Sequence, residues 1–288
     1  TIWIERSVHH TTEREAWETI VKYFQCVEAD VRFVSDALHQ TSADVVIATA
    51  WSTAWCIKDL TGFKAKMYFV QDHEPEFYPT GAKAILARQT YDFDLGCICA
   101  SPWLEELMSK RYGRWAQGFH LAYEPDQYFV ANEQEKKPDQ PTKIAVYGRM
   151  HTDRRCVQLA LAGLEILAQT RSDFEVHFFG QENLPFSEAP FAAFNQGVLR
   201  PDQLADLYNE CDLGLCFSGT NYSLVPQEMM ACGLPLIELD TESTQAIFPT
   251  DTITLAGPAP VDIADKISKL MDSPEARKTQ RAAALAWV

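Results

Sequence analysis

The sequence predicts an α/β protein made of two doubly wound, parallel-sheet domains that face a cleft. Three observations support this class. The chain has 288 residues, a length that favours two domains over one. Short apolar runs alternate with helical stretches in two series, and one polar segment bracketed by prolines separates the two series. Such alternation is typical of parallel βαβ units, whose strands are covered on both faces.

Each series contains four apolar runs of strand length. The runs are 31–34, 45–48, 67–70 and 97–100 in the first series, and 144–147, 175–179, 213–217 and 235–239 in the second. Helical stretches are predicted at 12–26, 101–112, 156–170, 201–210 and 223–232. This order predicts two parallel sheets with helices on their faces.

The segment 132–142 is the predicted linker. Its residues 132–141 are polar or charged, and they offer no apolar side chain to bury. The predicted domains are therefore 1–131 and 143–288. Doubly wound sheets bind ligands at the carboxyl ends of their strands, so we expect the functional residues at those ends.

Acidic residues outnumber basic residues in both halves of the chain. The net charge is −15, with 14 basic and 21 acidic residues in 1–140, and 11 basic and 19 acidic residues in 141–288. Nucleic acid requires a basic stripe and anionic lipid a basic surface. The composition therefore excludes a nucleic-acid partner and allows at most peripheral membrane association. A phosphate ligand would need a local basic cluster.

The eight cysteines form no CxxC pair and mostly lie within apolar runs. Buried free thiols of this kind are typical of a reducing compartment. The start of the chain has no signal-peptide pattern, and no apolar run reaches about 18 residues. We therefore expect a cytoplasmic protein, able to act at the inner face of the membrane. The absent initiator methionine and the helix-like residues 281–285 lead us to expect a chain trimmed at both ends.

A basic turn follows the strand at 144–147. Gly148 comes first, and Arg149, Arg154 and Arg155 fall within seven residues. Guanidinium groups bind phosphate oxygens well, and a glycine allows close approach of the backbone. The turn is therefore predicted to bind a diphosphate, the alternative being a solvated turn with surface arginines. The dinucleotide fingerprint GxGxxG is absent.

A second anion site is predicted at 220–235. A strand ends near Ser218, Ser223 is a suitable cap for the next helix, and Pro226 is tolerated in its first turn. The N–H groups at a helix start attract anions. Glu228, on the second turn, is placed to accept hydrogen bonds from sugar hydroxyls, although such a residue taken alone is more simply a solvated one.

These segments resemble the donor domain of GT-B glycosyltransferases, most closely the retaining family 4. The resemblance covers 143–288 and is carried by motifs in a fixed order: Gly148-Arg149, Phe179-Gly180, Gln196-Gly197-Val198-Leu199, Leu204 to Tyr208, Cys211 to Leu215, and Glu228 to Pro235. The resemblance implies a GT-B fold, with an acceptor-side domain over 1–131 and a nucleotide-sugar donor domain over 143–288. It also implies transfer with retention of the anomeric configuration.

The resemblance assigns two groups of residues to the donor. The diphosphate would be bound by Gly148, Arg149, Arg154, Ser223, Leu224 and Val225, and the nucleoside by Gly180, Val198, Leu199 and Glu228. Arg200 is a further candidate cation beside the nucleoside loop. Fixed positive charges and helix N–H groups stabilise a departing diphosphate, so no metal ion or other cofactor is expected.

One position departs from the family pattern. The first glutamate of the family's pair should stand eight residues before Glu228, where this chain has Thr220. The segment Tyr68 to Pro79 looks like that of bacterial rhamnosyltransferases of rhamnan and surface-layer glycan synthesis, which also lack this glutamate. That resemblance implies that Asp72 and His73 are the catalytic residues, the alternative being a capped turn after a strand.

Two further features bear on the first domain. The usual first strand with its glycine-rich loop is not visible, because the first glycine of the chain is Gly62. The domain is therefore expected to be truncated at its start or reduced. Asp92-Phe93-Asp94 matches the metal-binding DxD of another glycosyltransferase fold, but it lies in the wrong domain and is expected to be a surface pair.

The expected function is transfer of L-rhamnose from dTDP-β-L-rhamnose onto a growing bacterial cell-surface polysaccharide, with a glycan or lipid-linked glycan as acceptor. A UDP- or GDP-hexose donor on the same fold is one alternative. A non-catalytic carbohydrate- or nucleotide-binding paralogue in a polysaccharide assembly complex is another, and a nucleotide-sugar epimerase of similar two-domain shape is a third.

Overall fold

A computed structural model describes residues 1–23, 26–131, 140–184 and 188–288. The chain divides into two compact units, which are described separately. The first unit comprises 1–99 and 105–117, and the second comprises 100–104 and 118–288. In the described ranges, no helix has the length and apolar character needed to cross a bilayer.

Parallel strands build the first unit. Up to residue 118 the strands are β1 (Ile2–Ile4), β2 (Val31–Phe33), β3 (Ala43–Ala48), β4 (Phe63–Val70), β5 (Gly96–Cys99) and β6 (Ala116–Gly118). The helices are α1 (Glu13–Tyr23), α2 (Asp36–His39), α3 (Trp51–Ile57), α4 (Ala82–Gln89) and α5 (Pro102–Glu106), with a π-helical turn at Leu107–Arg111. β1 and β2 form a two-stranded sheet, and β3 to β6 form a four-stranded sheet in chain order.

One face of the four-stranded sheet forms the core of the first unit. Its side chains come from three neighbouring strands and are at most 2% exposed: Ala48, Tyr68, Val70, Cys97 and Cys99. On the opposite face Val45 and Ile47 are about half exposed. The apolar runs of the sequence therefore form strands as predicted, and burial is complete on one face.

A short strand at the start of the chain was not predicted from the sequence. Ile2–Ile4 forms β1 and pairs in parallel with Val31–Phe33. The segment that follows, Glu5-Arg6-Ser7, contains no glycine. The first strand is therefore present, and the glycine-rich loop that usually follows it is not.

The second unit has one larger sheet. Its strands are β7 (Thr142–Tyr147), β8 (Phe174–Phe179), β9 (Ala192–Asn195), β10 (Leu213–Leu215), β11 (Leu236–Leu239) and β12 (Thr254–Ala256). Its helices are α6 (Val157–Ala168), α7 (Pro201–Glu210), α8 (Val225–Ala231), α9 (Glu242–Ile247), α10 (Pro260–Asp272) and α11 (Pro274–Trp287). The strand order is β12-β11-β10-β7-β8-β9, and all five neighbouring pairs are parallel.

Apolar clusters cover both faces of this six-stranded sheet. One contains Val146, Val176 and Ile237 with residues of α6 and α10, and the other contains Ala145 and Leu236 with residues of α7 and α8. Burial on both faces explains why these strands read as continuous apolar runs. The predicted doubly wound α/β architecture is confirmed.

The division of the chain differs from the predicted boundaries in two segments, 100–104 and 118–131. Residues 118–131 belong to the second unit, where Tyr128 is 5% exposed within the apolar cluster of α7 and α8. Of the predicted linker 132–142, residues 132–139 lie outside the described ranges, and Thr142 already begins β7. Composition marked the polar stretch and gave no sign of this tertiary packing.

Candidate functional site

The sheet of the second unit has its topological switch point between β7 and β10. The chain leaves β7 toward β8 and β9 on one side, then returns to place β10 on the other side of β7. Ligands of doubly wound sheets bind outside the carboxyl ends of the strands at this point. The segments that follow the two strands, 148–156 and 216–225, contain the residues predicted to bind the diphosphate.

Gly148 begins the first of these segments. Its N–H donates to the carbonyl of Phe179 at 2.8 Å, so the segment continues beside the end of β8. A Cβ at this position would lie 2.9 Å from the Leu184 side chain and 3.4 Å from that of Phe178. Glycine is therefore required for packing against the neighbouring segment, in addition to any approach of a ligand.

Arg149 is exposed and is oriented by its neighbours. Its Nε donates to Nε2 of His151 at 3.0 Å. Nδ1 of His151 lies 2.7 Å from Oε1 of Gln181, and these contacts assign the imidazole proton to Nδ1. The backbone N–H of His151 donates to the same oxygen at 3.1 Å. The guanidinium is thus held at the carboxyl edge of the sheet and remains open to solvent.

The other two arginines of the basic turn differ from each other. Arg154 is half-buried, and its carbonyl accepts the N–H of Gly219 at 2.8 Å, which connects the segments after β7 and β10. Arg155 is only 9% exposed, and its guanidinium donates to Oγ of Ser218 at 3.0 Å. The turn therefore contains one exposed arginine, one half-buried arginine and one whose guanidinium is directed inward.

Glu238 of β11 completes a buried polar chain that the sequence analysis missed. Its carboxylate accepts the N–H of Ser218 at 2.7 Å, the N–H of Leu239 at 2.9 Å and the hydroxyl of Ser218 at 3.2 Å. Complete burial raises the pKa of Glu238 to about 8, although these hydrogen bonds and Arg155 favour the charged form. The available signal was a glutamate inside the otherwise apolar run 235–239.

The predicted cap at Ser223 is wrong. The helix α8 begins at Val225, and its N-cap is Leu224, whose backbone is already helical. The Leu224 carbonyl accepts the N–H groups of Gln227 and Glu228. Oγ of Ser223 instead lies 3.7 Å from Sγ of Cys216. Ser223, Leu224 and Val225 nevertheless lie together on the segment after β10, at the start of the helix.

Glu228 is not a solvated helix residue. It is 9% exposed, and the hydroxyl of Tyr128 donates to its carboxylate. Burial raises the pKa of Glu228 to about 7, and the hydrogen bond from Tyr128 opposes this rise. The Tyr128 ring stacks on Tyr208, with the ring centroids 6.2 Å apart. Tyr128 was missed because it lies about 100 residues before Glu228 in the sequence.

The two glycine turns assigned to the nucleoside lie side by side. The N–H of Gly180 donates to the carbonyl of Gly197 at 2.8 Å, and both glycines have positive φ, 97° and 70°. These left-handed conformations explain the residue type. Val198 is 63% exposed, and its N–H donates to the Glu182 carboxylate at 3.3 Å, while Leu199 packs partly against the apolar cluster. The structure therefore brings Gly180, Val198 and Leu199 together, three of the residues predicted to bind the nucleoside.

Arg200 and Thr220 have contrasting surroundings. The exposed guanidinium of Arg200 forms two hydrogen bonds with the carboxylate of Asp202, at 2.8 and 3.1 Å, at the start of its own helix. Thr220 is 6% exposed, and the neighbouring Asn221 donates to the carbonyl of Ala100 at 3.3 Å. Arg200 thus forms its hydrogen bonds with a residue of helix α7. Thr220 belongs to the buried part of the segment after β10.

In the first unit, Asp72 and His73 follow β4 and are 5% and 2% exposed. The Asp72 carboxylate accepts the backbone N–H of His73 at 2.8 Å. Nδ1 of His73 lies 2.8 Å from the Glu76 carboxylate, and Nε2 lies 2.8 Å from the Tyr112 hydroxyl. Nε2 therefore has a hydrogen-bonding partner in Tyr112, and Nδ1 lies beside the Glu76 carboxylate without a hydrogen bond of good geometry.

Glu74 is a third buried group of this segment. Its carboxylate accepts hydrogen bonds from the Tyr68 hydroxyl and from the N–H of Trp51, and burial raises its pKa. The Tyr91 hydroxyl accepts the Glu74 N–H at 3.0 Å and donates to the carbonyl of Asp72 at 3.2 Å. The segment thus rests on tyrosines from separate elements, which no local motif indicated.

The DxD sequence was predicted to be a surface pair, and the cysteines were predicted to be buried free thiols. Asp92 and Asp94 are exposed at the surface. All eight cysteines lie in described ranges and are free thiols; four are buried and Cys26 is exposed. Within the same ranges, no group of three or more His, Cys, Asp and Glu side chains is placed to hold a metal ion.

Two family models match the chain. Residues 7–100 match the amino-terminal domain of WsaF, and residues 142–268 match its carboxyl-terminal domain. The chain therefore contains both domains of the WsaF family. The O-antigen biosynthesis protein RfbC of Myxococcus xanthus is 30% identical to this WsaF-type chain over 237 residues, which cover 81% of the chain and 18% of RfbC. The chain thus spans less than a fifth of that relative.

Solved structures establish the fold of this WsaF-type chain. Sucrose-phosphate synthase of Thermosynechococcus elongatus superposes with a TM-score of 0.67 at 16% identity, over 87% of this chain and 71% of that protein. Anabaena HepE, solved with UDP and glucose, gives 0.66 at 12% identity over 87% and 74%. TarM gives 0.63 at 15% identity over 84% and 50%. The predicted GT-B fold is confirmed.

Proposed function

We propose that this chain is a retaining glycosyltransferase that moves L-rhamnose from dTDP-β-L-rhamnose onto a growing bacterial cell-surface polysaccharide. The observation that carries the proposal is the position of Arg149 and Arg154 at the switch point of the second sheet, in a chain with both WsaF domains. The similarity to an O-antigen biosynthesis protein supports the polysaccharide. The segment around Asp72 resembles that of bacterial rhamnosyltransferases, and Thr220 stands where these enzymes also lack a glutamate. Both features support a rhamnosyl donor.

The chemistry of the proposed reaction requires stabilisation of a departing diphosphate. Arg149 is exposed at the carboxyl edge, Arg154 lies on the same segment, and the start of α8 follows the adjacent strand. Fixed cations and backbone N–H groups in such a place stabilise the developing charge without reorganisation. The donor site proposed here therefore draws its positive charge from the protein and does not depend on a divalent ion.

The nucleoside is assigned to the glycine turns and to Glu228. Gly180, Val198 and Leu199 offer backbone and apolar contacts for the base. The Glu228 carboxylate, when ionised, accepts a hydrogen bond from a hydroxyl of the nucleotide's sugar, and a charged acceptor binds more strongly than a neutral one.

This assignment predicts a pH dependence of nucleotide binding. Since the pKa of Glu228 is about 7, the carboxylate is mostly protonated well below that pH and mostly ionised above it. We expect dTDP affinity, measured by calorimetry, to rise about threefold or more between roughly pH 6 and pH 8. Ionisation of the dTDP phosphates also changes with pH, and it affects the Glu228→Gln variant equally. The pH profile of this variant is therefore expected to lack the rise that comes from Glu228. Identical profiles for the two proteins would contradict the role of Glu228.

Asp72 and His73 are proposed to act on the reacting sugar. We expect Asp72→Asn to lower kcat about 100-fold, a typical loss for a group acting in the transition state, with dTDP affinity nearly unchanged. Asp94→Asn is the control, because it removes an exposed carboxylate from the same unit. Steady-state kinetics with a rhamnosyl donor test this, and equal loss of kcat in both variants would refute the assignment.

One observation favours a second donor class. HepE, a solved structure of the same fold, is described with UDP-glucose, and a UDP-hexose would use the same diphosphate site. Calorimetry with dTDP and UDP in the presence of a chelator, followed by product analysis with dTDP-rhamnose, UDP-glucose and a GDP-hexose, separates the donors. Nucleotide binding without sugar transfer to any glycan acceptor tested would favour a non-catalytic paralogue, the alternative that Thr220 raised.

A further inference from the structure

Three adjacent strands of the second sheet each contribute one member to a buried polar chain. Arg155 lies after β7, Ser218 after β10, and Glu238 near the end of β11, and these strands are neighbours in the order β11-β10-β7. All three side chains are 9% exposed or less. The chain therefore crosses the sheet at its carboxyl edge, beside the switch point.

The hydrogen bonds of this chain follow one another without a gap. The Arg155 guanidinium donates to Ser218 Oγ at 3.0 Å, and Ser218 donates from its hydroxyl and from its N–H to the two oxygens of the Glu238 carboxylate, at 3.2 and 2.7 Å. The carboxylate also accepts the N–H of Leu239 at 2.9 Å. Arg155 is thus engaged inside the protein, in contrast to the exposed Arg149.

The same place contains an unusual backbone conformation. Cys156 follows Arg155 with φ of 47°, a left-handed conformation that a non-glycine residue adopts only at a cost and keeps where its surroundings hold it. The hydrogen bond between the Gly219 N–H and the Arg154 carbonyl lies beside it. Hence the segment after β7 is held against the segment after β10 both by its backbone and by the buried side chains.

We propose that Arg155, Ser218 and Glu238 are positioning residues that set the spacing between the two segments assigned to the donor diphosphate. The inference rests on the proposed donor site. It separates two functions within one basic turn: Arg149 and Arg154 contact the diphosphate, while Arg155 acts through Ser218 and Glu238 and touches no ligand. Disrupting these buried hydrogen bonds is therefore expected to weaken binding of the diphosphate and to leave binding of the nucleoside unchanged.

The experiment measures dTDP affinity by calorimetry and thymidine binding by ligand-observed NMR. Glu238→Ala and Arg155→Ala are each expected to weaken dTDP binding about tenfold, with thymidine binding within about threefold of the unmodified protein. Glu238→Gln keeps an acceptor for both N–H groups and is expected to restore dTDP affinity to within about threefold. The double variant Arg155→Ala/Glu238→Ala is expected to bind dTDP about as well as either single variant, because the residues act together.

A matched control comes from the other end of the same strand. Gln280 is buried, and its amide donates to the carbonyl of Leu236 at the start of β11 at 2.7 Å. We expect Gln280→Ala to lower the unfolding temperature and to leave dTDP affinity unchanged. If Gln280→Ala weakens dTDP binding as much as Glu238→Ala, then Arg155, Ser218 and Glu238 contribute only to stability, and the inference fails.

The outcomes also separate this inference from the proposed function. Unmodified protein that binds neither dTDP nor UDP refutes the donor site itself. Unmodified protein that binds dTDP, with Glu238→Ala and Arg155→Ala binding it equally well, refutes only the positioning role. Should the alanine variants fail to fold, Ser218→Ala removes the central hydroxyl and is expected to weaken dTDP binding about threefold, and unchanged affinity in that variant overturns the inference.

Discussion

Arg149→Ala is expected to weaken dTDP binding at least about tenfold and to cost about 2–4 kcal/mol in the transition state of sugar transfer, as loss of a fixed charge donor does. Arg149 is the exposed guanidinium at the switch point, and its orientation is set by His151 and Gln181. Calorimetry with dTDP and kcat/KM with the rhamnosyl donor are the measurements.

Arg171→Ala is the control for this substitution. Arg171 belongs to the same unit and lies near the amino end of β8, where Asp173 and Asp272 form ion pairs with it. The variant removes the same charge from the opposite edge of the sheet. We expect its dTDP affinity to stay within about twofold, since Arg171 is already paired with two carboxylates at the other end of the strand and cannot contact the diphosphate. Equal losses of dTDP affinity in the two variants would show that only the net charge of the protein matters. That result would contradict a specific diphosphate site at Arg149.

The second large effect concerns stability and pH. The pKa of Glu238 is about 8 in the folded protein, against an ordinary value of 4.5. Between these values the folded protein retains a proton that the unfolded chain has released, so the free energy of unfolding falls as the pH rises. This stabilisation is complete below the unfolded pKa and is lost as the pH rises through 8. We expect a decrease on the order of 5 kcal/mol across this window from Glu238.

Denaturant unfolding across this pH window measures the effect. Glu238→Gln imitates the protonated carboxyl, so this variant should match the unmodified protein near pH 5 and be more stable near pH 9. Glu228, with a pKa of about 7, contributes a decrease of the same sign, which remains in the Glu238→Gln profile. Parallel profiles for the two proteins would show that Glu238 is ionised throughout this range and would contradict the raised pKa.

Local patterns were sufficient for the fold class and for most of the donor segment. The four apolar runs of the second series all form strands of one parallel sheet, because strands covered on both faces are recognisable from continuous apolar residues alone. Gly180 and Gly197 have the positive φ that explains their residue type. The strand pattern depends on near neighbours in the sequence, and for this reason it could be predicted.

The local structure at Ser223 and Glu228 depends on tertiary packing. Serine is a residue type that often caps helices, yet the helix starts two residues after Ser223, and the backbone of Leu224 is already helical. Glu228 has the position of a solvated residue, yet Tyr128 covers it and donates to its carboxylate. In both cases packing decided the outcome, because propensity is a weak preference that tertiary contacts override.

The sequence by itself determined the α/β class, the order of the eight predicted strands and the position of the basic turn after β7. The tertiary structure alone decided which arginine of that turn faces inward. Arg155 meets Ser218 and Glu238 because β7, β10 and β11 are adjacent in the sheet. Since these strands are separated by long connections in the sequence, no local pattern could show that a buried carboxylate lies opposite one of three similar arginines.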